Sequence, residues 1–375
     1  MAGIYIHIPF CRQACHYCNF HFATSLTRKN ELIAALLKEI DIQQNYLPDE
    51  LIETIYFGGG TPSLLQIEDL ELQLEKLRTN FAVSENAEIT LEANPDDISN
   101  EKLIAWKEAG ITRLSIGIQS FFEEDLQWMN RAHSASQAID SLQLATRHFD
   151  NITIDLIYGT PALTHEKWKQ NVDRVLAFNI PHISCYALTV EPKTPLQKMI
   201  TLGKSENVNP DKQSEQFLLL MEWLEAAGYD HYEISNFAKP GFRSRHNSSY
   251  WQGKKYLGLG PSAHSFNGSA RQWNIANNNI YIDSLNKGVL NFEKEELTIN
   301  QQLNEYIMTA LRTAEGIDLK FIELKFGEET SKKLQEAVKK YIADRKMMQP
   351  EAGYMVLTKE GKLLADGIAS DLFTV

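Results

Sequence analysis

The sequence predicts an α/β fold: a partial, open (βα)6 barrel of TIM-like design, followed by a small α+β module of winged-helix style. Three observations carry that prediction. Short β-branched runs alternate with amphipathic stretches through the first half of the chain, the signature of a parallel sheet with helical crossovers. Six such units can be counted, two fewer than a closed eightfold barrel uses. Each candidate strand also runs out into a loop of unusual composition, and the C-terminal ends of parallel strands are where such barrels gather their chemistry.

The candidate strands are residues 4–8, 54–57, 88–93, 113–118, 153–157 and 182–188, all rich in Ile, Leu, Thr and Tyr. Helical spacing of apolar residues falls at 31–46, 67–80, 100–109, 136–148 and 165–178. The loops in question are the cysteine run after the first strand, then 58–62, 92–95, 119–120, 155–161 and 187–192, which the barrel geometry places on one rim. A further helix is expected at 211–227 and a strand at 229–234, followed by a polar, irregular stretch to about residue 291. From about residue 298 the pattern changes to helices at 301–313, 319–325 and 329–345 and a hairpin at 350–357. The chain thus divides into a barrel (1–210), a barrel extension (211–297) and a C-terminal module (298–375).

At 375 residues, with 43% hydrophobic and 23% charged side chains, the chain has the profile of an ordinary globular protein with ample material for a core. A net charge of −12 argues against a nucleic-acid binder, which presents a basic face. The C-terminal module, with 11 basic and 12 acidic side chains after residue 300, makes a poor DNA-binding wing for the same reason. Residues 1–10 are apolar but carry His7 and Pro9 and no basic start, so they read as a strand and not as a signal peptide. No apolar run approaches a membrane span. A reducing, cytoplasmic location is expected.

Cys11, Cys15 and Cys18 cluster in a chain that has only one further cysteine, Cys185. Three thiolates can hold three irons of a cubane [4Fe–4S] cluster and leave the fourth iron open to a small molecule, whereas electron-transfer clusters are closed by four. The competing reading is zinc, with His16 or His21 completing the set. A disulfide framework does not suit so odd a grouping, and Cys185, inside an apolar run, reads as a small buried hydrophobe. Gly58-Gly59-Gly60-Thr61-Pro62 matches neither the Walker pattern nor the dinucleotide fingerprint. It is either a plain tight turn or a loop whose backbone approaches a ligand. Glu92, Gln119, Arg131 and Asp155 are polar residues at or just beyond strand ends. Carboxylates there suit ribose hydroxyls, and a guanidinium can grip a ligand carboxylate in a planar fork.

Taken together, Tyr5-Ile-His-Ile-Pro-Phe-Cys11-x-x-x-Cys15-x-Tyr-Cys18 and the glycine run resemble the radical S-adenosylmethionine superfamily, and within it the oxygen-independent coproporphyrinogen III oxidase-like family. The similarity extends over nearly the whole chain. It implies that Cys11, Cys15 and Cys18 hold the [4Fe–4S] cluster and that S-adenosylmethionine occupies the open iron. By position, Tyr5, Tyr17, Gly59, Gly60, Thr61, Glu92, Gln119, Arg131, Asp155 and Ala187 would line the pocket for that cofactor.

That family has an oxidase branch and a heme-chaperone branch. The oxidases carry another cysteine two positions after the third, where this chain has Phe20, and an N-terminal extension, where this chain has ten residues before Cys11. Arg245-His246-Asn247-Ser248-Ser249-Tyr250-Trp251 contains His-Asn-x-x-Tyr, which resembles the heme-associated motif of the chaperones. His and Tyr both serve as axial heme ligands, and four residues apart they share a helix face. Arg243, Arg245, Lys254 and Lys255 could meet the propionates, and Trp251 offers a flat face. Without the resemblance, His246 and Tyr250 read as hydrogen-bonded loop residues. The resemblance therefore implies a heme-binding chaperone that passes heme to an acceptor protein, membrane-associated or not, and draws on an external electron donor. A radical oxidase that decarboxylates porphyrinogen propionates is the alternative, and a radical enzyme with another small substrate is a third.

Overall fold

The structure is a computed structural model that describes residues 2–351 and 353–374. Six strands, β1 (Ala2–Ile8), β2 (Ile52–Gly59), β3 (Val83–Ala93), β4 (Arg113–Gln119), β5 (Ile152–Tyr158) and β6 (His182–Ala187), lie side by side in chain order and all run parallel. Helices Lys29–Ile42, Ile67–Asn80, Asn100–Ala109, Ala135–His148 and His165–Ala177 make the crossovers. Ser99, Ser134 and Thr164 start three of them by accepting a hydrogen bond from an N–H in the first turn, and Ser134 forms a reciprocal capping box with Gln137.

Strand periodicity sorts the side chains. Ile4, Ile6 and Ile8, Ile55 and Phe57, Leu114, Ile116 and Ile118, and Ile152, Ile154 and Leu156 are buried in one core with the helices. The alternate positions (Tyr5, Thr54, Tyr56, Glu88, Thr90, Glu92, Arg113, Ser115, Thr153, Asp155, Ser184 and Tyr186) face the inside of the curved sheet. The inner wall is thus largely polar, and its groups must find partners within the barrel.

The stretch expected to be irregular up to residue 291 is instead ordered. β7 (Asp230–Glu233) falls inside the strand expected at 229–234 and pairs antiparallel with β8 (Asn236–Ala238), which in turn adds antiparallel to β6. Helix Arg245–Trp251 follows, and β9 (Lys255–Leu259) then pairs parallel with β1. β10 (His264–Phe266), β11 (Ala270–Asn274) and β12 (Phe292–Glu296) extend that side. The twelve strands run β12-β11-β10-β9-β1-β2-β3-β4-β5-β6-β8-β7. These added strands are short, and β12 is exposed at every residue, so they lack the apolar alternation that marks a strand in sequence. Helices Glu123–Trp128 and Pro195–Thr201 are likewise too short to show a period. The helix expected over 31–46 stops at Ile42, with Gln43–Tyr46 forming a turn.

Beyond Thr298 a second core gathers Leu303, Ile307, Ile317, Ile322, Val338, Met355 and Ile368. Helix Ile299–Leu311, β13 (Ile317–Asp318), helices Leu319–Phe326 and Glu328–Ala343, then β14 (Met347–Met348) and β15 (Tyr354–Leu357) follow in winged-helix order, with β15 central in the small sheet. Ala352, in the expected hairpin, lies outside the described residues. Arg312 joins this module to the barrel by pairing with buried Glu233 at 3.1 Å.

Besides the β9–β1 pairing, one buried carboxylate ties three parts of the sheet extension to the barrel. Glu39, fully buried, accepts hydrogen bonds from the Gly260 N–H at 2.7 Å, Asn274 Nδ2 at 2.6 Å and the Tyr281 hydroxyl. Burial pushes its pKa up to about 7, and those three donors offset part of the penalty. Glu39→Ala strands three buried donors and should cost on the order of 3 kcal/mol in chemical denaturation. A loss below about 1 kcal/mol would contradict this role.

Candidate functional site

A cavity of about 450 Å³ opens where β1 to β6 end. Its lining includes Cys11, Cys15, Tyr17, Cys18, Gly59, Gly60, Thr61, Glu92, Gln119, Arg131, Asp155 and Ala187. Every rim residue singled out from sequence is therefore brought together except Tyr5. Tyr5 lies lower on the inner wall, where its hydroxyl pairs with His7 Nδ1 at 3.1 Å. Its ring sits behind Gly58, where an added Cβ would come within 2.9 Å of it.

The cysteine loop is anchored at several points. The Cys11 N–H donates to Ala23 O, Arg12 pairs with buried Asp97 at 2.6 Å, and Gln13 Nε2 donates to Asn130 Oδ1 at 2.7 Å. His16 Nδ1 is engaged by Trp128 O and His21 Nε2 by Asn278 Oδ1, which orients both rings. Among the described residues, no three His, Cys, Asp or Glu side chains converge on a point that could hold a single metal ion. Three thiols lining one cavity are a donor set that would suit three irons of a cluster. Burial pushes the Cys11 thiol up to about 11 and raises Cys18 as well, against the Arg131 charge, and a bound cation would favour their thiolate forms. Cys185 is buried in β6 and points away, as a small hydrophobe.

The glycine loop does more than accommodate a ligand. A Cβ on Gly59, whose φ is +106°, would meet the His7 ring at 2.5 Å. One on Gly60 would strike the carbonyl oxygens of Phe10 at 2.6 Å and Ile8 at 2.8 Å. These glycines let β2 press against the root of the cysteine loop, and the Gly60 N–H donates to Ile8 O at 2.9 Å.

Glu92 accepts the Tyr56 hydroxyl at 2.8 Å and the Gly59 N–H at 3.1 Å. Burial and then the charge of Asp155 push it up to about 7, against those two donors. Burial likewise takes Asp155 up to about 6, against Ser184 and the Arg131 and Arg113 charges. Gln119 holds φ at +65°, a conformation that costs a non-glycine residue energy and that clusters at binding sites. The Arg131 guanidinium donates to Asn94 Oδ1 at 2.8 Å, Gly117 O at 2.9 Å and Cys15 Sγ at 3.4 Å, while its buried Nε lacks a partner among the described residues. Sequence reasoning missed Asn94, which links Arg131 to Thr61 through its Nδ2 at 3.1 Å. Its signal was its place two residues after Glu92.

His246 and Tyr250 lie at the other end of the barrel. Helix Arg245–Trp251 plugs the N-terminal side, its first turn fixed by the Glu88 carboxylate, which accepts the His246 N–H at 3.0 Å and the Arg245 N–H at 3.2 Å. His246 is 1% exposed, and both ring nitrogens are engaged, Nδ1 by Thr54 Oγ1 at 2.8 Å and Nε2 by the Tyr250 hydroxyl at 2.9 Å. Burial drops its pKa to about 3, so the ring is neutral. One face of Trp251 is taken by the Arg312 guanidinium, 5.1 Å over the ring. Arg243 pairs with Glu315 and Lys255 with Glu50. A cavity of about 250 Å³ beside the helix is lined in part by Thr54, Arg243, Arg245 and Lys254.

Residues 5–175 match the model of the radical SAM superfamily, and residues 297–364 match that of the HemN C-terminal domain. The chain is 34% identical to the heme chaperone HemW of Bacillus subtilis, over 98% of both chains. It is 32% identical to the HemW of Mycobacterium tuberculosis strain H37Rv, over 99% of this chain and 94% of that one. Its fold is similar to that of the coproporphyrinogen III oxidase HemN from Escherichia coli, with a TM-score of 0.86 and 22% identity, over 100% of this chain and 90% of that one.

The raised carboxyls predict how stability depends on pH. Glu92 moves from near 4.5 to about 7 on folding, so its stabilising contribution is full below about 4.5 and is lost as pH climbs to about 7. Glu92→Gln does not titrate. In cofactor-free protein, the melting temperature of the variant relative to the parent should therefore rise between pH 5 and pH 8. A flat difference would show that Glu92 titrates normally.

Proposed function

Because the chain belongs to the radical S-adenosylmethionine superfamily, and within it to the family of the heme chaperone HemW proteins, we propose that it binds heme and hands it to an acceptor protein. The observation that carries this reading over the oxidase alternative is the donor set at the cavity: three cysteine sulfurs and, among the described residues, no fourth. Phe20, at the position where a further cysteine marks the oxidases, stands 67% exposed at the cavity's edge. The near-full-length similarity to HemW proteins supports the same choice.

In this reading Cys11, Cys15 and Cys18 hold a [4Fe–4S] cluster. Glu92 and Asp155 accept hydrogen bonds from ribose hydroxyls, and Gln119, Thr61 and Ala187 line the nucleoside's path. Arg131, already braced by Asn94 and Gly117, sets the positive potential for a carboxylate beside Cys15. Bound together, the cluster and S-adenosylmethionine supply one-electron chemistry, fed by an external donor. The protein contributes orientation and exclusion of water.

Heme ligation falls to His246 or Tyr250, with Arg243, Arg245 and Lys254 reaching the propionates by exchanging their present partners Glu315 and Glu53. Iron reaches His246 Nε2 only when the Tyr250 hydroxyl lets go and the helix yields from Glu88. Among the described residues no helix is long and apolar enough to cross a membrane. We place the protein in a reducing cytoplasm, delivering heme to acceptors that include membrane-associated ones.

A Tyr250→Phe variant distinguishes the two ligands. If His246 binds iron, freeing Nε2 from its hydroxyl partner should tighten heme binding severalfold in a Soret titration, and His246→Ala should abolish the shift. If Tyr250 binds iron, Tyr250→Phe abolishes it instead. Anaerobic, cluster-loaded protein given coproporphyrinogen III, reductant and S-adenosylmethionine should form no protoporphyrinogen. Decarboxylation would restore the oxidase reading.

A further inference from the structure

We infer that Tyr56 is a positioning residue through which the floor helix Arg245–Trp251 sets how tightly the rim cavity holds a nucleoside. The inference rests on the reading above that Glu92 faces the cofactor's ribose. Tyr56 stands midway along β2 on the inner wall and touches both ends of the barrel. Below, its ring stacks on His246, with centroids 4.9 Å apart and planes at 25°. Above, its hydroxyl donates to Glu92 Oε1 at 2.8 Å. Tyr250 continues the column downward by meeting the His246 ring edge-on at 5.1 Å.

The column has little slack. A Cβ built on Gly58 would lie 2.8 Å from the Tyr56 ring, 2.9 Å from the Tyr5 ring and 3.1 Å from Glu92 Oε1, so these three groups already crowd one point. Tyr5 stacks on the same two rings, 6.1 Å from Tyr56 and 6.5 Å from His246. Packed interiors switch between discrete arrangements and do not deform smoothly. If His246 withdraws, Tyr56 loses the face that fixes its ring, and its hydroxyl no longer has one defined place. Glu92 then keeps only the Gly59 N–H, 3.1 Å away, and its carboxylate is free to turn from the position that receives ribose hydroxyls. Any event that lifts the floor helix therefore reads out at the opposite rim, and by linkage a nucleoside at the rim biases the floor helix in return.

The test measures affinity on the full chain, loaded anaerobically with its cluster, using equilibrium dialysis of S-adenosylhomocysteine as a probe that is not cleaved. His246→Leu fills the volume without an aromatic face, whereas His246→Phe restores the face without the ring nitrogens. Neither variant can bond Thr54 or Tyr250, so only the stack distinguishes them. His246→Leu and Tyr56→Phe should each weaken the probe roughly fivefold, in line with losing one ordinary hydrogen bond. His246→Phe should stay within about twofold of the parent, and the Leu–Phe double variant should bind no more weakly than Tyr56→Phe alone. Equal losses for His246→Leu and His246→Phe, or losses that multiply in the double variant, would overturn the coupling. Glu92→Gln separates the two layers of the argument. If it fails to weaken a probe that the parent binds, the ribose reading falls and the coupling falls with it. If it weakens the probe while His246→Leu does not, the coupling alone falls.

Discussion

The constraint on which the structure turns is the two-residue period of six parallel strands. One side of each strand is committed to the helices, and the helical layer takes the Ile, Leu and Phe side chains into a single core. The other side must then carry whatever the inside of a narrow, incomplete barrel can tolerate. Here it carries carboxylates, hydroxyls, phenols and an arginine, groups that are costly to bury unless paired. The partners come from two directions. In the lower half Arg113 reaches Asn151 and Thr153, while Glu88 caps the floor helix. In the upper half Glu92 has Tyr56 and Gly59, whereas the buried Arg131 Nε has no partner among the described residues. The half filled by the floor helix is a plug, and the half left open above it is the cavity.

Much of the rim could be read from sequence because it sits at strand ends, and strand ends were legible from β-branched alternation followed by Gly, Pro, Glu or Gln. The expected strands at 4–8, 54–57, 88–93, 113–118 and 153–157 all fall inside the observed ones. The glycine run was recognisable as special, but its reason was not. Pattern alone cannot show that Gly59 and Gly60 are demanded by His7, Ile8 and Phe10, which lie roughly 50 residues away. Asn94 was missed because an amide in a polar loop carries no periodic signal. The sheet extension from β8 to β12 was missed for a related reason. Its strands are short and carry little apolar alternation, although Phe237, Leu257 and Leu259 reach the main core.

The floor helix was the least legible part. Sequence gives His246 and Tyr250 a shared face and a cluster of basic neighbours, and both features hold. It does not reveal that the shared face turns inward onto Tyr56 and Thr54, because that depends on an inner wall assembled from strands about 150 to 240 residues earlier. One face of Trp251, an apparent open platform, is instead covered by Arg312 of the C-terminal module. That contact has a structural consequence of its own. Arg312 also pairs with Glu233 and with Asp366, so one side chain links the small domain, the edge of the large sheet and the end of the floor helix.

On the heme-chaperone reading, this closed floor bears on how such a protein lets go of its cargo. A ligand that binds only an open form has its apparent affinity lowered by the fraction of molecules that are open. The closed form here is held by bonds from Glu88, Thr54 and Tyr250 and by the Tyr56 stack, all of which reform when heme leaves. On that reading the helix competes with heme for whichever of His246 and Tyr250 binds iron. A site preformed and open to solvent would have no such competitor, and release would depend wholly on the acceptor. A chaperone needs binding that is specific yet reversible, and a ligand residue that returns to internal partners supplies reversibility without sacrificing the choice of ligand. The polar inner wall that creates the rim cavity also creates those partners, so the two sites share a physical origin as well as a barrel.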